Sequence, residues 1–458
     1  MNPISPHFVV FNDNFFDLFE YIQAILAVFL SGISTAFKQL SISQILLGYV
    51  FYYPFFMSYV WMIGALYYYF HYEKHDLKIK EQPELKDYPS VSILVPCYNE
   101  EDNVKEVITH LMGMNYPNYE VIAINDGSKD RTGDILNHLS ITYPKLKVIH
   151  HAKNQGKAIG LNTAALFARS EYLIGIDGDA LLDHDAIPWL LRHFQMGPRV
   201  AAVTGNPRIR TRSTLLGRIQ VGEFSSIVGL IKRAQRTYGR LFTVSGVVAM
   251  FRRTALHDVN YWSPDMLTED IDISWKLQLR HWDVRFEPRA LCWILMPETL
   301  HGLWKQRLRW AMGGVQVMLK NVWILTEWRK RRMWPIFLEY FSSLLWAYLM
   351  ASVILLWSIG LFIDLPASIK VGSILPHWHG VMLGTTCLLQ ILISLYLDRQ
   401  YDHSLFRYYF WMVWYPLAYW MLNMMSTVVS VPKVLLRGHG KRAVWVSPDR
   451  GLRTPNEK

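Results

Sequence analysis

Uncharged apolar runs of the length that crosses a bilayer, roughly 18 residues or more, stand towards both ends of this chain and are missing from its middle. Residues 45–70, 380–397 and 408–431 carry no charge, and 341–363 is equally clean behind Glu339. These predict four membrane spans. Residues 21–37 form a shorter segment interrupted by Gln23, Ser31 and Ser34, which predicts a fifth span or an interfacial helix. That segment lacks a signal-peptide form, because no Lys or Arg precedes it and no small-residue cleavage site follows before the next span.

Between these blocks the pattern changes to short β-type runs alternating with helical spacing. Residues 91–95 read as a buried strand, and Val104, Val107, Ile108, Leu111 and Met112 follow at helical intervals. A second strand is predicted over 119–124, a helix from about Thr132, and a third strand over 172–176. Strand, loop and helix in this order predict a parallel sheet wound as in nucleotide-binding α/β folds, with the ligand beyond the carboxyl ends of the strands. The expected organisation is a membrane region over 1–73, a soluble domain over 74–300, an interfacial amphipathic segment over 301–334, a second membrane region over 335–431 and a basic tail over 432–458.

Composition agrees with that layout. The 458 residues are 51% hydrophobic and 18% charged, which excludes a disordered chain and does not suit an ordinary soluble protein. The net charge of +10 would suit nucleic acid, anionic lipid or a phosphorylated substrate. Its placement decides among them: Lys74, Lys78 and Lys80 follow one span, and Arg329, Lys330, Arg331 and Arg332 precede the next. By the positive-inside rule the soluble domain is cytoplasmic. No nucleic-acid-binding motif accompanies the charge, so no nucleic acid partner is expected. One count conflicts. Three spans after the soluble domain would leave the tail outside, yet the tail holds Lys433, Arg437, Lys441, Arg442, Arg450, Arg453 and Lys458. Pro416 and Asn423 would allow 408–431 to be re-entrant, which would bring the tail inside. Cys97, Cys292 and Cys387 are far apart and give neither a disulfide framework nor a zinc site.

The candidate chemistry lies at the predicted strand ends. Residues 172–176 run into Asp177-Gly178-Asp179, two carboxylates one residue apart, which suit a divalent cation that keeps coordination free for phosphate oxygens. Taken alone, a polar turn with an Asx cap explains this motif as well. Thr268-Glu269-Asp270 opens a predicted helix, where acids are ordinarily caps. Gln306-Arg307-Leu308-Arg309-Trp310 sits in a cationic, Trp-rich stretch that reads as an interfacial helix. The P-loop, dinucleotide and zincin signatures are absent.

Taken in order, V-P-C-Y-N-E at residues 95–100, N-D-G-S at 125–128, Gly156-Lys157-Ala158, D-G-D, T-E-D and Q-R-L-R-W resemble the processive family 2 glycosyltransferases, the membrane synthases of cellulose, chitin, hyaluronan and poly-N-acetylglucosamine. Within that family the chain length, Q-R-L-R-W and the tail sequence Trp445-Val-Ser-Pro-Asp-Arg-Gly451 are most similar to the bacterial branch that builds a β-1,6-linked N-acetylglucosamine polymer for biofilm matrix. The resemblance implies a nucleotide-sugar-binding α/β domain of glycosyltransferase A type inserted between transmembrane helices in the bacterial inner membrane. It implies a UDP-GlcNAc donor, one inverting displacement per sugar, and export of the growing polysaccharide. It also implies Mg²⁺ or Mn²⁺ on Asp179, with Asp177 on nucleotide or metal water. Asp270 would be the general base and Glu269 the second choice. Gln306, Arg307 and Arg309 would hold the diphosphate, Lys157 would add charge on the nucleotide side, and Trp310 would stack on the acceptor. Asp126 and the loop with Pro96, Tyr98 and Glu100 would hold uridine. A small two-span partner protein and cyclic di-GMP regulation are further implications. Chitin-, hyaluronan- or cellulose-type synthesis, single-sugar transfer to a lipid carrier, and a transporter or nucleotide-sugar-gated scaffold are the alternatives.

Overall fold

The computed structural model describes residues 40–74, 82–373, 378–438, 440 and 442–443. The segment 21–37 and the tail from Val444 onward, with Trp445, lie outside the described residues. The elements run α1 (Ile42–Tyr68), β1 (Val91–Cys97), α2 (Val104–Leu111), β2 (Tyr119–Asp126), α3 (Thr132–Thr142), β3 (Leu146–His151), α4 (Lys157–Phe167), β4 (Tyr172–Gly175), β5 (Leu181–Leu182), α5 (Ala186–Gln195) and β6 (Val200–Ile209). They continue as α6 (Leu215–Phe224), α7 (Ile231–Tyr238), β7 (Ala249–Arg252), α8 (Glu269–Leu279), β8 (Asp283–Ile294), α9 (Leu300–Lys320), α10 (Trp334–Gly360), α11 (Trp378–Asp398) and α12 (Trp420–Leu436).

Every residue of β1 is buried, and its apolar run is continuous because both faces of the sheet are covered by helices. Val91, Ile93 and Val95 meet Val104, Val107, Ile108 and Leu111 of α2 on one face. Leu94, with Ile122 and Ile124 of β2, meets Ala158 and Leu161 of α4 on the other. Each such aliphatic side chain contributes about 1.5–3 kcal/mol on burial. The eight strands follow the order β3-β2-β1-β4-β7-β6-β8-β5. The expected parallel pairing holds for β3-β2-β1-β4. It ends at β7, which is antiparallel to both β4 and β6. β7 is reached by way of α6 and α7 and enters from the opposite direction, a long-range feature that local periodicity does not carry.

Among the described residues three helical stretches, Ile42–Glu73, Trp328–Gly360 and Trp378–Asp398, are long and apolar enough to cross a membrane. The fourth expected span is broken. A 3₁₀ segment, Leu405–Trp414, and a wide turn, Tyr415–Tyr419, precede α12, which has only 17 residues. Pro416 lies in that turn, where it supplies no N–H and its ring obstructs a continuous helix. Met412 of the 3₁₀ segment is buried against Gly222 of α6. Beyond α12 the chain returns to the domain that carries the sheet: the Ala443 N–H donates to the Pro264 carbonyl at 3.0 Å. Residues 442–443 thus pack against the domain that carries the sheet.

Candidate active site

Parallel pairing of β1 with β2 and β4 brings three loops to one edge of the sheet. The loop after β1 is stitched to the loop after β2: the Asn99 N–H donates to Ser128 Oγ at 3.0 Å, Lys129 N–H to Asn99 Oδ1 at 2.9 Å, and Glu100 N–H to Thr132 Oγ1 at 2.7 Å. Asn99 takes a left-handed φ of 53° to make this corner. Gly178 of D-G-D lies directly over it. A Cβ there would stand 3.2 Å from Glu100 Cγ and the Pro96 carbonyl oxygen, so the glycine lets the two strand ends close on one another. Glu100 and Asp179 are buried in this junction, while Tyr98 is partly exposed.

Asp126 has a different position from the one the sequence led us to expect. It is fully buried, and its carboxylate accepts the backbone N–H groups of Gln155 and Gly156, the latter at 2.8 Å, with His151 Nδ1 also at 2.8 Å. Its oxygens are therefore engaged in fixing the turn into α4 rather than presented to uridine. Gly156 holds a φ of 94°, and a Cβ on it would meet the Ala443 carbonyl oxygen at 2.2 Å. The returning tail thus passes over the same turn.

That turn aims Lys157 into the centre of the site. Its Nζ is 2.5 Å from Asp177 Oδ1 and 3.1 Å from Glu269 Oε1, and it donates to the Gly246 carbonyl at 3.2 Å. Burial works against the charge on Lys157, but Asp177 and Glu269 outweigh it and hold the ammonium above the ordinary lysine value. D-G-D and T-E-D, about 90 residues apart in sequence, are joined through this one cation.

Glu269 and Asp270 open α8, where three acids complement the positive helix end. Burial tends to raise Glu269, but Lys157 and Arg309 more than offset it, and its carboxyl lies below the usual range. Asp270 goes the other way. Burial first, and the Glu269 charge second, push it up to about 6 against the pull of Lys157 and Arg309. The pair is therefore split into a firmly ionised acid and a stronger base.

α9 carries Q-R-L-R-W and clamps α8. Gln316 Oε1 accepts the Leu267 N–H at 3.1 Å, and Lys320 Nζ is 2.6 Å from Asp272 Oδ1. On that side Arg309 is exposed and faces the two carboxylates electrostatically. Arg307 is not with it. It is 5% exposed, forms a 2.5 Å ion pair with Glu223 of α6 and lies 4.6 Å over the Trp310 ring. Its expected role on the diphosphate is corrected to a structural one, since Glu223 already neutralises it in a buried site. Gln306 is half-buried with Nε2 on the Met296 sulfur at 3.7 Å. Trp310 is half-buried beside Phe224, with ring centroids 6.3 Å apart.

Two features went unread in the sequence. The turn Ser245-Gly246 backs Asp270, because a Cβ on Gly246 would stand 3.2 Å from Asp270 Oδ2. Behind it Lys232 is buried and donates to Ser245 Oγ at 2.6 Å and Thr204 Oγ1 at 3.3 Å, and burial, partly opposed by Asp270, brings its ammonium down to about 7. A lysine at the head of the polar run Lys232-Arg233-Ala234-Gln235-Arg236, with no motif around it, offered no signal.

A sheet of this topology with carboxylates and a buried lysine at its strand ends defines a nucleotide-sugar-dependent transferase, and residues 92–259 match Glycosyl transferase family 2. The fold is shared with a solved mannosyltransferase of Pyrobaculum calidifontis, crystallised with GDP-mannose and Mn²⁺, at a TM-score of 0.51 and 19% identity over 86% of this chain and 100% of that one. The poly-beta-1,6-N-acetyl-D-glucosamine synthase of Staphylococcus epidermidis is 37% identical over 411 residues, covering 88% of this chain and 98% of that protein. The synthase of the same name from Staphylococcus aureus strain MSSA476 is 36% identical over 405 residues, with the same coverage. The chain belongs to this family of poly-β-1,6-N-acetyl-D-glucosamine synthases within the family 2 glycosyltransferases.

Proposed function

We propose that the chain polymerises N-acetylglucosamine from UDP-GlcNAc into a β-1,6-linked polysaccharide and helps to export it across the bacterial inner membrane, with the catalytic domain cytoplasmic. The observation that carries this is the Lys157 ammonium between Asp177 and Glu269, which puts the donor-side and acceptor-side carboxylates in one site. An acceptor hydroxyl attacks C1 of the donor sugar while Asp270 takes its proton. The C1–O bond to the diphosphate breaks, UDP leaves with the electron pair, and the configuration at C1 inverts. Asp270 suits this work because an acid raised to about 6 is mostly ionised at neutral pH yet more basic than an ordinary carboxylate. Arg309 answers charge on the leaving diphosphate, and Lys157 keeps Glu269 ionised and holds Asp177 in place through their ion pair.

The residues fit a divalent cation. Asp179 and Asp177 offer hard oxygen donors at a strand end, and among the described residues no third His, Cys, Asp or Glu completes a ready-made cage. That donor set would suit Mg²⁺ or Mn²⁺, with Asp179 as the residue that would hold it. Such a cation supplies neutralisation of the charge that gathers on the diphosphate. The loop with Pro96, Tyr98 and Glu100 faces the nucleoside side, and Trp310 the acceptor side.

A small two-span partner and cyclic di-GMP control belong to the same proposal. The three candidate spans of the described residues are few for a complete channel, which supports a partner that adds helices. The test is incubation of membranes, with and without a co-expressed partner, with labelled UDP-GlcNAc and Mg²⁺. A long polymer cut by a β-1,6-hexosaminidase is expected, and its yield should rise with cyclic di-GMP. Turnover to a single-sugar lipid product would replace the polymerase reading.

A further inference from the structure

One buried cation lies behind the carboxylates and forms no ion pair with them. Lys232 of α7 is 5% exposed, and among the described residues its Nζ donates to two hydroxyls, Ser245 Oγ at 2.6 Å and Thr204 Oγ1 at 3.3 Å. An ammonium buried with no carboxylate in contact costs stability. Burial brings it down to about 7, and Asp270 is the charge that opposes the fall. A methionine of similar length would avoid that cost. The fold keeps a charge where packing alone favours an apolar side chain.

What Lys232 grips is the turn that backs Asp270. Residues 239–248 belong to no helix or sheet strand, so side-chain bonds set where this turn stands. Thr204 Oγ1, on β6, also accepts the Ser245 N–H at 2.8 Å, and the Val248 N–H closes the turn on the Ser245 carbonyl at 3.0 Å. Lys232, Thr204 and Ser245 thus form a triangle on one side of the turn. The other side belongs to the site. A Cβ on Gly246 would stand 3.2 Å from Asp270 Oδ2 and 3.3 Å from Lys157 Nζ, and the Gly246 carbonyl accepts from Lys157 at 3.2 Å. Just before the turn, Ser274 Oγ accepts the Val244 N–H at 2.8 Å and donates to the Asp270 carbonyl at 2.6 Å. Two lysines therefore hold the turn from opposite sides, and Asp270 rests against it.

We propose that Lys232 is a positioning residue for sugar transfer, holding the Ser245-Gly246 turn against Asp270 and so fixing the carboxylate relative to the acceptor hydroxyl. This role rests on Asp270 as the general base. Lys232 reaches no substrate; it acts through Ser245 and Gly246. A displacement of about 1 Å in a reacting arrangement costs about 100-fold in rate, so a small retreat of the turn is enough to slow transfer.

The test compares Lys232→Met, Thr204→Val, their combination and Asp270→Asn in the full chain. Membranes give kcat and KM from UDP release, and detergent-solubilised protein gives the unfolding midpoint. Lys232→Met should lower kcat about 10- to 100-fold and leave KM for UDP-GlcNAc within about threefold. Its midpoint should stay at or above that of wild type, because a buried charge is exchanged for an apolar side chain. Thr204→Val should lower kcat in the same direction, and the combination should be no slower than the slower single variant, since both act through one turn. Normal kcat in Lys232→Met, additive losses in the combination, or a kcat that falls only with the folded fraction overturns the proposal. Asp270→Asn separates it from the assignment of the base. An inactive Asp270→Asn beside a fully active Lys232→Met overturns the role of Lys232 alone, whereas an active Asp270→Asn overturns both.

Discussion

Arg233 donates from Nε to Glu73 at 2.7 Å and from Nη2 at 2.9 Å, a two-point ion pair in which both partners are almost wholly withdrawn from solvent. The remaining nitrogen of Arg233 reaches Asp398 at 2.8 Å, and Arg208 meets the other oxygen of Asp398 at 2.9 Å. Glu73 closes the first described span, Asp398 closes α11, Arg233 lies on α7 and Arg208 on β6. One buried lattice therefore fastens the catalytic sheet to two membrane helices. Removing a single partner strands a charge in a low dielectric, which costs about 3–5 kcal/mol. We expect Glu73→Gln to lower the unfolding midpoint of the detergent-solubilised protein by that equivalent. A midpoint unchanged from wild type would mean that water reaches the lattice.

Asp270→Asn keeps the size of the side chain and removes its ability to take a proton. Sugar transfer should fall by about 10²–10⁴-fold, the usual contribution of a general base. UDP-GlcNAc binding, read by calorimetry, should stay within a few-fold of wild type. Robust polymer formation by this variant would move the base to Glu269.

The split between the two acids sets a pH limb. Asp270 acts in its deprotonated form and its pKa is raised to about 6, so kcat should rise as pH increases through about 6 and be lost below it. Lys157 lowers that value by its charge. Lys157→Met should therefore move the acid limb to higher pH, besides lowering the plateau. A pH–rate profile of polymer synthesis measures both, and a limb that stays in place would separate Lys157 from the base.

Gly313 of α9 lies beneath Thr268. A Cβ there would come within 2.0 Å of Thr268 Oγ1 and 2.7 Å of its Cβ, so rotation of the threonine cannot relieve the overlap. Gly313→Ala should push the T-E-D turn away from Lys157, lowering kcat at least tenfold while costing about 1–3 kcal/mol of stability. Thr268→Ser in the same background should not rescue it. Near-normal kcat in Gly313→Ala would show that α9 shifts as a body instead.

Contiguous motifs were readable because each is a strand end or helix start: D-G-D, T-E-D and the loop at residues 95–100 all lie where the strand pattern predicts a ligand edge. What sequence could not choose was the face a residue presents. Arg307 and Arg309 are two positions apart, about 200° around a helix, so one faces Glu223 and the other the carboxylates. Asp126 was misassigned for a related reason. Its carboxylate accepts from backbone N–H groups some 30 residues later, and backbone donors leave no trace in side-chain identity. The reversal at β7, the buried Lys232 and the lattice around Arg233 all depend on contacts between distant segments.

The hydrogen bond from Ala443 to Pro264 carries a topological consequence. Residue 443 lies against the catalytic domain, so the polypeptide between them is expected to cross a bilayer an even number of times. With α10 and α11 each crossing once, as their length and apolar character allow, 405–436 would enter and leave by the same face. A reporter enzyme fused behind the chain should therefore be active only in its cytosolic form. Leu405–Trp414 packs against α6 and α12 against α9, so this short apolar arm and the helix that carries Q-R-L-R-W form one packed unit.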